Sequence, residues 1–386
     1  MRDDKLKCLR ARLEELGAGA AILWRPEELV ALWGYHPFWG KSVAVVPAQG
    51  EAAIYMPDGE PAVPPVADVR VTAYPAGMMP CSPWDLLFDA IAANLSRRRE
   101  KPVAWAMHGD AALSGVAAET PVLPDDWPER LASLGTGEPL DLTGMLRGLL
   151  ARKEPDERPM LFAAHEAAAL GVEAFYACLK PGVSELEVQC EAERAVACFA
   201  GQKRFSRAWA QVQSGANGAA AGRYNQSTGK RLAGGELVLL ELAVCVDGYW
   251  ADITRTGVVG EPTAAQRRMY TALSRACQAA QSAARPDVLA RDVYAAAAQV
   301  LRAEGLLEHF PHALGHGVGY RYHEYLPRLT PYSDDVLQRG MVITLEPGVY
   351  SPSFGGMRIE DNYWITERGC ERISIGRGGL KGELHD

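Results

Sequence analysis

The stretch 236-ELVLLELAVCVDGYWADITRTG-257 reads as two strands joined at Asp247-Gly248. Asp-Gly between apolar runs is a two-residue hairpin signal, because both turn positions favour positive φ. With that turn, Val246 faces Tyr249, Ala243 faces Asp252 and Glu241 faces Thr254. Side chains alternate along a strand, so Glu241, Ala243, Asp252 and Thr254 share one face. Glu241 and Asp252 are then diagonal neighbours about 7–8 Å apart at Cα, close enough for two carboxylates to converge on a common cation or pair of cations. Two buried anions without a partner repel and are driven toward protonation. The hairpin taken alone fits equally well with solvated acids on a partly exposed face.

Three later segments carry further candidates. In 311-PHALGHGVGYRYHE-324, His312, His316 and His323 sit among glycines. Imidazole is the commonest neutral metal ligand and the usual proton carrier near neutral pH, and glycine lets backbone pass close to a site. In 340-GMVITLEPGVY-350, a strand ends at Glu346 before a Pro-Gly turn. The segment 356-GMRIEDNYWIT-366 reads as one further strand, with Arg358 and Glu360 on one face and Ile359 on the other. Arg358 there suits either an ion pair or a substrate contact.

The chain has 386 residues, 48% of them hydrophobic, enough for two domains and a core that supports buried polar chemistry. Its formal charge of −8 and lack of a polybasic run argue against nucleic acid as a partner. No apolar stretch reaches the ~18 residues of a membrane span, and the first residues have mixed charge rather than a leader pattern. The eight cysteines are scattered with no C-x-x-C pair, which suits reduced thiols and a cytoplasmic protein.

Short apolar runs (20–24, 42–48, AAIYM, VRVTAY, VAWAM) alternate with helical segments such as 84–99, which predicts an α/β amino-terminal domain with a mostly parallel or mixed sheet. A Pro-, Gly- and Asp-rich stretch, 118–141, precedes a change of texture. Domains are therefore expected over 1–149 and 150–386. Helices are expected at about 156–179, 184–200, 262–283 and 288–304, the second opened by a Ser184/Glu187 capping box. A strand is expected near 207–215.

The ordered set Glu241, Asp252, His316, Glu346, Glu360 has intervals of 11, 64, 30 and 14. Together with GYWADITRT, HALGHGVG, EPGVY and RIED, it resembles the pita-bread (M24) metallopeptidase family, which includes methionine aminopeptidase, aminopeptidase P, prolidase and creatinase. The resemblance is greatest to the two-domain aminopeptidase P, prolidase and creatinase branch. It covers residues 150–386 and, more weakly, the amino-terminal domain. It implies an α/β protein, a creatinase-like amino-terminal domain followed by a pita-bread domain of two pseudo-symmetric halves, and a homodimer. It also implies two divalent ions of Mn, Co, Fe or Zn. Asp252 and Glu360 would bridge them, His316 and Glu346 would complete one ion, and Glu241 would serve the other. Glu346 would accept a proton from the attacking water, His312 and His323 would contact the substrate carbonyl and oxyanion, and Arg358 would anchor a carboxylate or steady the site. The implied activity is hydrolysis of a peptide or peptide-like amide, of the Xaa-Pro type.

Two positions depart from the family pattern. The first ligand position, Asp in the peptidases, is Glu241, one methylene longer. The histidine expected eight residues after the Ser of an SGxN motif is Gly222 in 214-SGANGAAAGRYN-225, with Arg223 and Tyr224 beside it. These departures keep two other readings open. One is a non-peptidase C–N hydrolase or lyase of a small metabolite, resembling creatinase or ectoine hydrolase, with Glu241 as nucleophile or base. The other is a catalytically silent binding module.

Overall fold

The computed structural model describes residues 2–38, 41–60, 63, 69–75, 82–95, 100–108, 124–199, 206–223 and 226–384. The chain divides into two compact units, Met1–Leu150 and Ala151–Asp386. In the first unit the order is α1 (Arg2–Leu16), β1 (Ala20–Leu23), α2 (Pro26–Trp33), β2 (Val43–Pro47), β3 (Ala52–Pro57), β4 (Val69–Tyr74), α3 (Pro83–Leu95), β5 (Val103–Trp105), α4 (Trp127–Ala132), β6 (Leu140–Asp141) and α5 (Thr143–Ala151). The strands form one mixed sheet in the order β4-β3-β2-β1-β5-β6. β1, β2 and β3 pair antiparallel, and the remaining neighbours pair parallel. Side-chain alternation splits this sheet between two cores. Ala21, Leu23, Ala44, Val46 and Ile54 pack on one side, and Ile22, Val43, Val45, Ala53 and Tyr55 on the other. β1, β2, β3 and β5 are apolar because both of their faces are covered, while the edge strand β4, with Arg70 and Thr72, is largely exposed.

The second unit contains α6 (Arg158–Ala177), α7 (Glu185–Phe199), β7 (Ser206–Ser214), β8 (Leu237–Val246), β9 (Tyr249–Val258), α8 (Ala264–Ala283), α9 (Ala290–Ala303), β10 (Gly315–His316), β11 (Arg328–Leu329), β12 (Val342–Leu345), β13 (Gly348–Ser351), β14 (Gly355–Arg358), β15 (Asp361–Ile365) and β16 (Cys370–Arg372). Local chemistry sets the helix starts. The Ser184 amide donates to Glu187 Oε2 at 2.7 Å while the Glu187 amide donates to Ser184 Oγ at 3.2 Å, and Thr263 with Gln266 makes the same reciprocal pair before α8. α6 is preceded by a single 3-10 turn, Pro155–Glu157, and carries Pro159 in its first turn, where a missing N–H costs nothing.

Each half of this unit sets a helix pair against an antiparallel sheet. α6 and α7 cover β7-β8-β9 through Ala164, Ala168, Val172 and Val196 against Val212, Leu240, Leu242 and Ile253. α8 and α9 cover β12-β15 through Leu273, Ala276, Val293 and Ala297 against Ile343, Leu345, Tyr363 and Ile365. Small residues let α6 approach: a Cβ on Gly171 would lie 2.7 Å from Leu242 Cδ2. The halves meet where β9 runs beside β15. There the Asp252 amide donates to Asn362 Oδ1 (3.1 Å), Asn362 Nδ2 donates to the Asp252 carbonyl (2.6 Å), and the Glu360 amide donates to the Thr254 carbonyl (3.2 Å).

The hairpin has the register expected from its turn: Val246 pairs with Tyr249, Ala243 with Asp252 and Glu241 with Thr254. Asp247 and Gly248 take φ of 50° and 86°. Both strands are buried along their whole length, so the solvated-face reading of the hairpin is set aside. The segment 356–366 is not one strand. β14 ends at Arg358 against β13, β15 starts at Asp361 against β12, and Ile359 and Glu360 bridge the two. The chain changes partner there, with the Ile359 amide donating to the Pro347 carbonyl before Glu360 turns to β9. Simple alternation therefore does not govern Arg358 and Glu360, although both side chains reach the same cavity.

Candidate functional site

Glu241 and Asp252 descend from the hairpin, Glu360 from the β14–β15 crossing, Glu346 from the end of β12 and His316 from β10. The structure brings all five together. Candidate ligand atoms of Glu241, Asp252 and Glu360 lie within 4.8 Å of one another, as do those of His316, Glu346 and Glu360, and those of Asp252, His316 and His323. His316 Nε2 is 3.3 Å from Asp252 Oδ2 and 3.5 Å from Glu346 Oε1. Its Nδ1 faces the Gly317 carbonyl at 3.0 Å, which assigns the proton to Nδ1 and turns the Nε2 lone pair toward two carboxylates. That arrangement suits a cation between them.

The backbone beneath the cluster is clamped. Arg255 donates to the carbonyls of Glu360 (2.7 Å) and Thr254 (3.0 Å) and pairs with Asp361 at 2.8 Å, all out of solvent. With Asn362 holding both polar groups of the Asp252 peptide, the two acids at the seam have fixed origins.

The acids differ sharply in their partners. Asp252 Oδ1 and Oδ2 and Glu360 Oε1 are buried and receive no hydrogen bond. Glu241 Oε1 accepts from Tyr322 Oη at 2.6 Å, and Oε2 accepts from Arg358 Nη2. Thr254 Oγ1 lies 2.5 Å from Glu241 Oε2 and 2.6 Å from Glu360 Oε2, so one hydroxyl proton is shared between two carboxylates. Protonation follows this pattern. Burial, then the charges of Glu241 and Glu346, push the Asp252 carboxyl well above its usual range. Burial, then Asp252, Glu346 and Glu241, does the same to Glu360. Burial opposes ionisation of Glu241 too, but the Arg358 charge and the hydrogen bonds from Thr254, Tyr322 and Arg358 outweigh it and hold its carboxyl low. Burial raises Glu346, against the pull of His316 and Arg358.

Arg358 is committed inside the site. Nε donates to Thr254 Oγ1 (2.8 Å), Nη1 to Tyr350 Oη (2.8 Å) and Nη2 to Glu241. His312 places Nδ1 2.7 Å from the Ala313 carbonyl and Nε2 2.9 Å from Tyr350 Oη. With the proton on Nδ1, Tyr350 donates to His312 and accepts from Arg358. Burial, then Arg358, lowers the His312 pKa to about 4. His323 Nε2 is 3.9 Å from Asp252 Oδ2, and its ring lies 4.0 Å from that of His316 and stacks on Tyr322 at 4.1 Å. Burial, then His316, drives it well below the ordinary imidazole value.

Tyr322 and Tyr350 were not among the residues singled out from the sequence. Thr254 was placed opposite Glu241 but given no role. Their signal is weak, since a tyrosine in GYRYHE or GVY reads as ordinary packing until its hydroxyl has a partner. Of the residues beside the absent histidine, the side chain of Arg223 and all of Tyr224 lie outside the described residues, and Gly222 belongs to a 3-10 turn, Asn217–Arg223. No disulfide joins the described cysteines, and no described helix is long and apolar enough to cross a membrane.

The donor set fits a divalent cation. Three buried carboxylate oxygens without donors, a raised carboxyl pair and an imidazole lone pair are costly unless a positive charge stands among them, and oxygen-rich ligation with one imidazole suits the first-row divalent metals.

Comparison with known proteins agrees with this. An Xaa-Pro dipeptidase from Pyrococcus furiosus is 43% identical over 145 residues, 38% of this chain. The matched stretch spans 41% of the length of that relative and of the Xaa-Pro dipeptidase of Pyrococcus horikoshii. An Xaa-Pro dipeptidase from Lactobacillus helveticus is 32% identical over 292 residues, 76% of this chain and 75% of its own. The crystal structure of a prolidase from Pyrococcus horikoshii superimposes with a TM-score of 0.77 at 25% identity, covering 98% of this chain and 99% of that one, so the fold is the pita-bread fold of the prolidases. The profile of metallopeptidase family M24 matches residues 160–367, more than half of the chain and every acid and imidazole of the cluster. The chain belongs to metallopeptidase family M24, in its aminopeptidase P and prolidase branch.

Proposed function

We propose that this protein is a metal-dependent hydrolase of a small peptide, cleaving a peptide bond of the Xaa-Pro type. The observation that carries the proposal is the set of donor-free buried oxygens on Asp252 and Glu360 beside His316 Nε2 and Glu346. The names of the relatives add to it. Asp252, His316, Glu346 and Glu360 would hold divalent metal, with Glu241 as the fifth candidate. When bound, such a metal polarises a scissile carbonyl and makes water more acidic at neutral pH.

The chain's own residues supply the rest. Glu346, raised by burial and less enclosed than Asp252, takes the proton of the attacking water as the new C–O bond forms, then passes it to the leaving nitrogen as the C–N bond breaks. His323, neutral and against Asp252, is the imidazole placed to meet the carbonyl and its developing negative charge, whereas His312, whose two nitrogens are taken by the Ala313 carbonyl and the Tyr350 hydroxyl, holds Tyr350 rather than contacting the oxyanion. Arg358 holds Glu241, Thr254 and Tyr350 in place, which favours its steadying role over a substrate contact. A nucleophilic Glu241, as the small-metabolite reading requires, is disfavoured because its charge is already taken up by Tyr322 and Arg358.

The amino-terminal unit is proposed as the creatinase- and prolidase-like domain, and the assembly as a cytoplasmic homodimer with neither nucleic acid nor membrane as partner. Chelator-stripped protein assayed on Xaa-Pro dipeptides before and after Mn²⁺, Co²⁺ or Zn²⁺ tests the reading. Activity should return with metal, and activity indifferent to stripping would overturn it.

A further inference from the structure

We infer that this site takes one metal ion rather than two, and that Glu241 is withheld from metal by Tyr322 and Arg358. The inference rests on the metal-dependent reading above. Distance alone permits a second ion, since ligand atoms of Glu241, Asp252 and Glu360 lie within 4.8 Å. Hydrogen bonding decides otherwise.

The fully buried donor-free oxygens belong to Asp252 and Glu360; Asp252 Oδ2 lies 3.3 Å from His316 Nε2, and Glu360 shares a 4.8 Å cluster of ligand atoms with His316 and Glu346. Both oxygens of Glu241 carry a donor. Tyr322 Oη, 2.6 Å from Oε1, cannot readily swing aside. Its ring stacks on His323 at 4.1 Å and meets the rings of Trp209 at 5.8 Å and Trp250 at 6.2 Å. Arg358, on Oε2, is held at all three of its nitrogens by Glu241, Thr254 and Tyr350. A second dication on Glu241 would have to displace one of these donors and then stand beside a buried guanidinium, where charge repulsion is poorly screened. The extra methylene of Glu241 relative to Asp lengthens its reach, and the reach ends on Tyr322 and Arg358. The pair Glu241–Arg358 is neutral as a unit, and so leaves the remaining acids and His316 to a single ion.

The test uses full-length protein stripped by chelator and titrated with Mn²⁺ alone, read by calorimetry and frozen-solution EPR. The expected result is about one Mn²⁺ per chain with the spectrum of an isolated ion, since two ions sharing a site would lie about 3.5–4 Å apart and couple magnetically. A stoichiometry near two, or a spin-coupled spectrum, overturns the inference and leaves the metal-dependent reading intact. No Mn²⁺ binding at all overturns both. The double variant Glu241→Met/Arg358→Met removes a neutral pair and so avoids stranding a buried charge. It should keep one ion with a Kd within about tenfold of the parent, a change of one decade in affinity. A folded double variant that loses more than this would return Glu241 to the ligand set. Should that variant not fold, the stoichiometry and spectrum of the parent still decide.

Discussion

Two corners of one cavity, built from facing strands, treat their carboxylates in opposite ways. At the Asp252–Glu360 corner both Asp252 oxygens and Glu360 Oε1 are buried and bare, only Glu360 Oε2 meeting the shared Thr254 hydroxyl, and the carboxyls are pushed up. At the Glu241 corner another buried acid is met by tyrosine, arginine and a shared threonine, and its carboxyl is held down. Both corners are out of solvent, so the difference lies chiefly in what supplies positive charge. One corner carries its cation covalently as Arg358, and the other is where the proposed metal would stand. A buried acid is thus not by itself a candidate ligand; a buried oxygen without a donor is the observation on which the proposed ligand set rests.

The largest effect should come from breaking the bare corner. Glu360→Gln or Asp252→Asn should abolish metal retention after desalting and lower kcat/KM on an Xaa-Pro dipeptide by ~10³-fold, the scale of losing a principal electrostatic group. Full activity and metal content in either variant would contradict the assignment of that corner. Next in size, Glu241→Gln should strand Arg358 in the interior and destabilise the protein by ~3–5 kcal/mol. Calorimetry should record this as a fall in Tm on the order of 10 °C, with about one Mn²⁺ still bound. A smaller loss, ~1.5–3 kcal/mol, is expected for Tyr322→Phe, which removes one hydrogen bond to a charged group. Denaturant titration measures it, and an unchanged midpoint would remove Tyr322 from the Glu241 corner.

The smallest effect sharpens the comparison from outside the site. His165 lies in α6, fully buried, with both ring nitrogens lacking a hydrogen bond, as bare as Asp252. It has no need of a counter-ion because it stays neutral: burial lowers its pKa to about 3 from an ordinary 6.5. The unfolded chain therefore takes up a proton below pH 6.5 that the folded chain refuses until about pH 3, so stability falls as pH drops through that window. His165→Leu should flatten this part of the stability curve while changing stability at pH 7 by roughly 1 kcal/mol or less. Urea melts at a series of pH values would reveal the change in slope, and parallel curves would contradict it.

Much of the architecture could be read locally. The runs 20–24 and 42–48 became β1 and β2. The Ser184/Glu187 box opened α7, and every member of the acid and imidazole set reached one cavity. The β14–β15 crossing was misread as one strand, because 356–366 keeps an apolar texture across a change of partner that only β12, β13 and β9 impose. The tyrosines of the site were overlooked because a hydroxyl acquires its meaning from an acceptor brought from another strand.

The hairpin divides the two kinds of information cleanly. Sequence alone determined that Glu241 faces Thr254 and that Asp252 shares their side, because an Asp-Gly turn and a two-residue period fix register without help from the rest of the chain. Only the tertiary structure decided that the two acids would differ. Tyr322 and Arg358 stand 81 and 117 residues beyond Glu241. No local pattern encodes where two such distant side chains will converge; the packing of the two halves across the β9–β15 seam brought both to Glu241 and neither to Asp252.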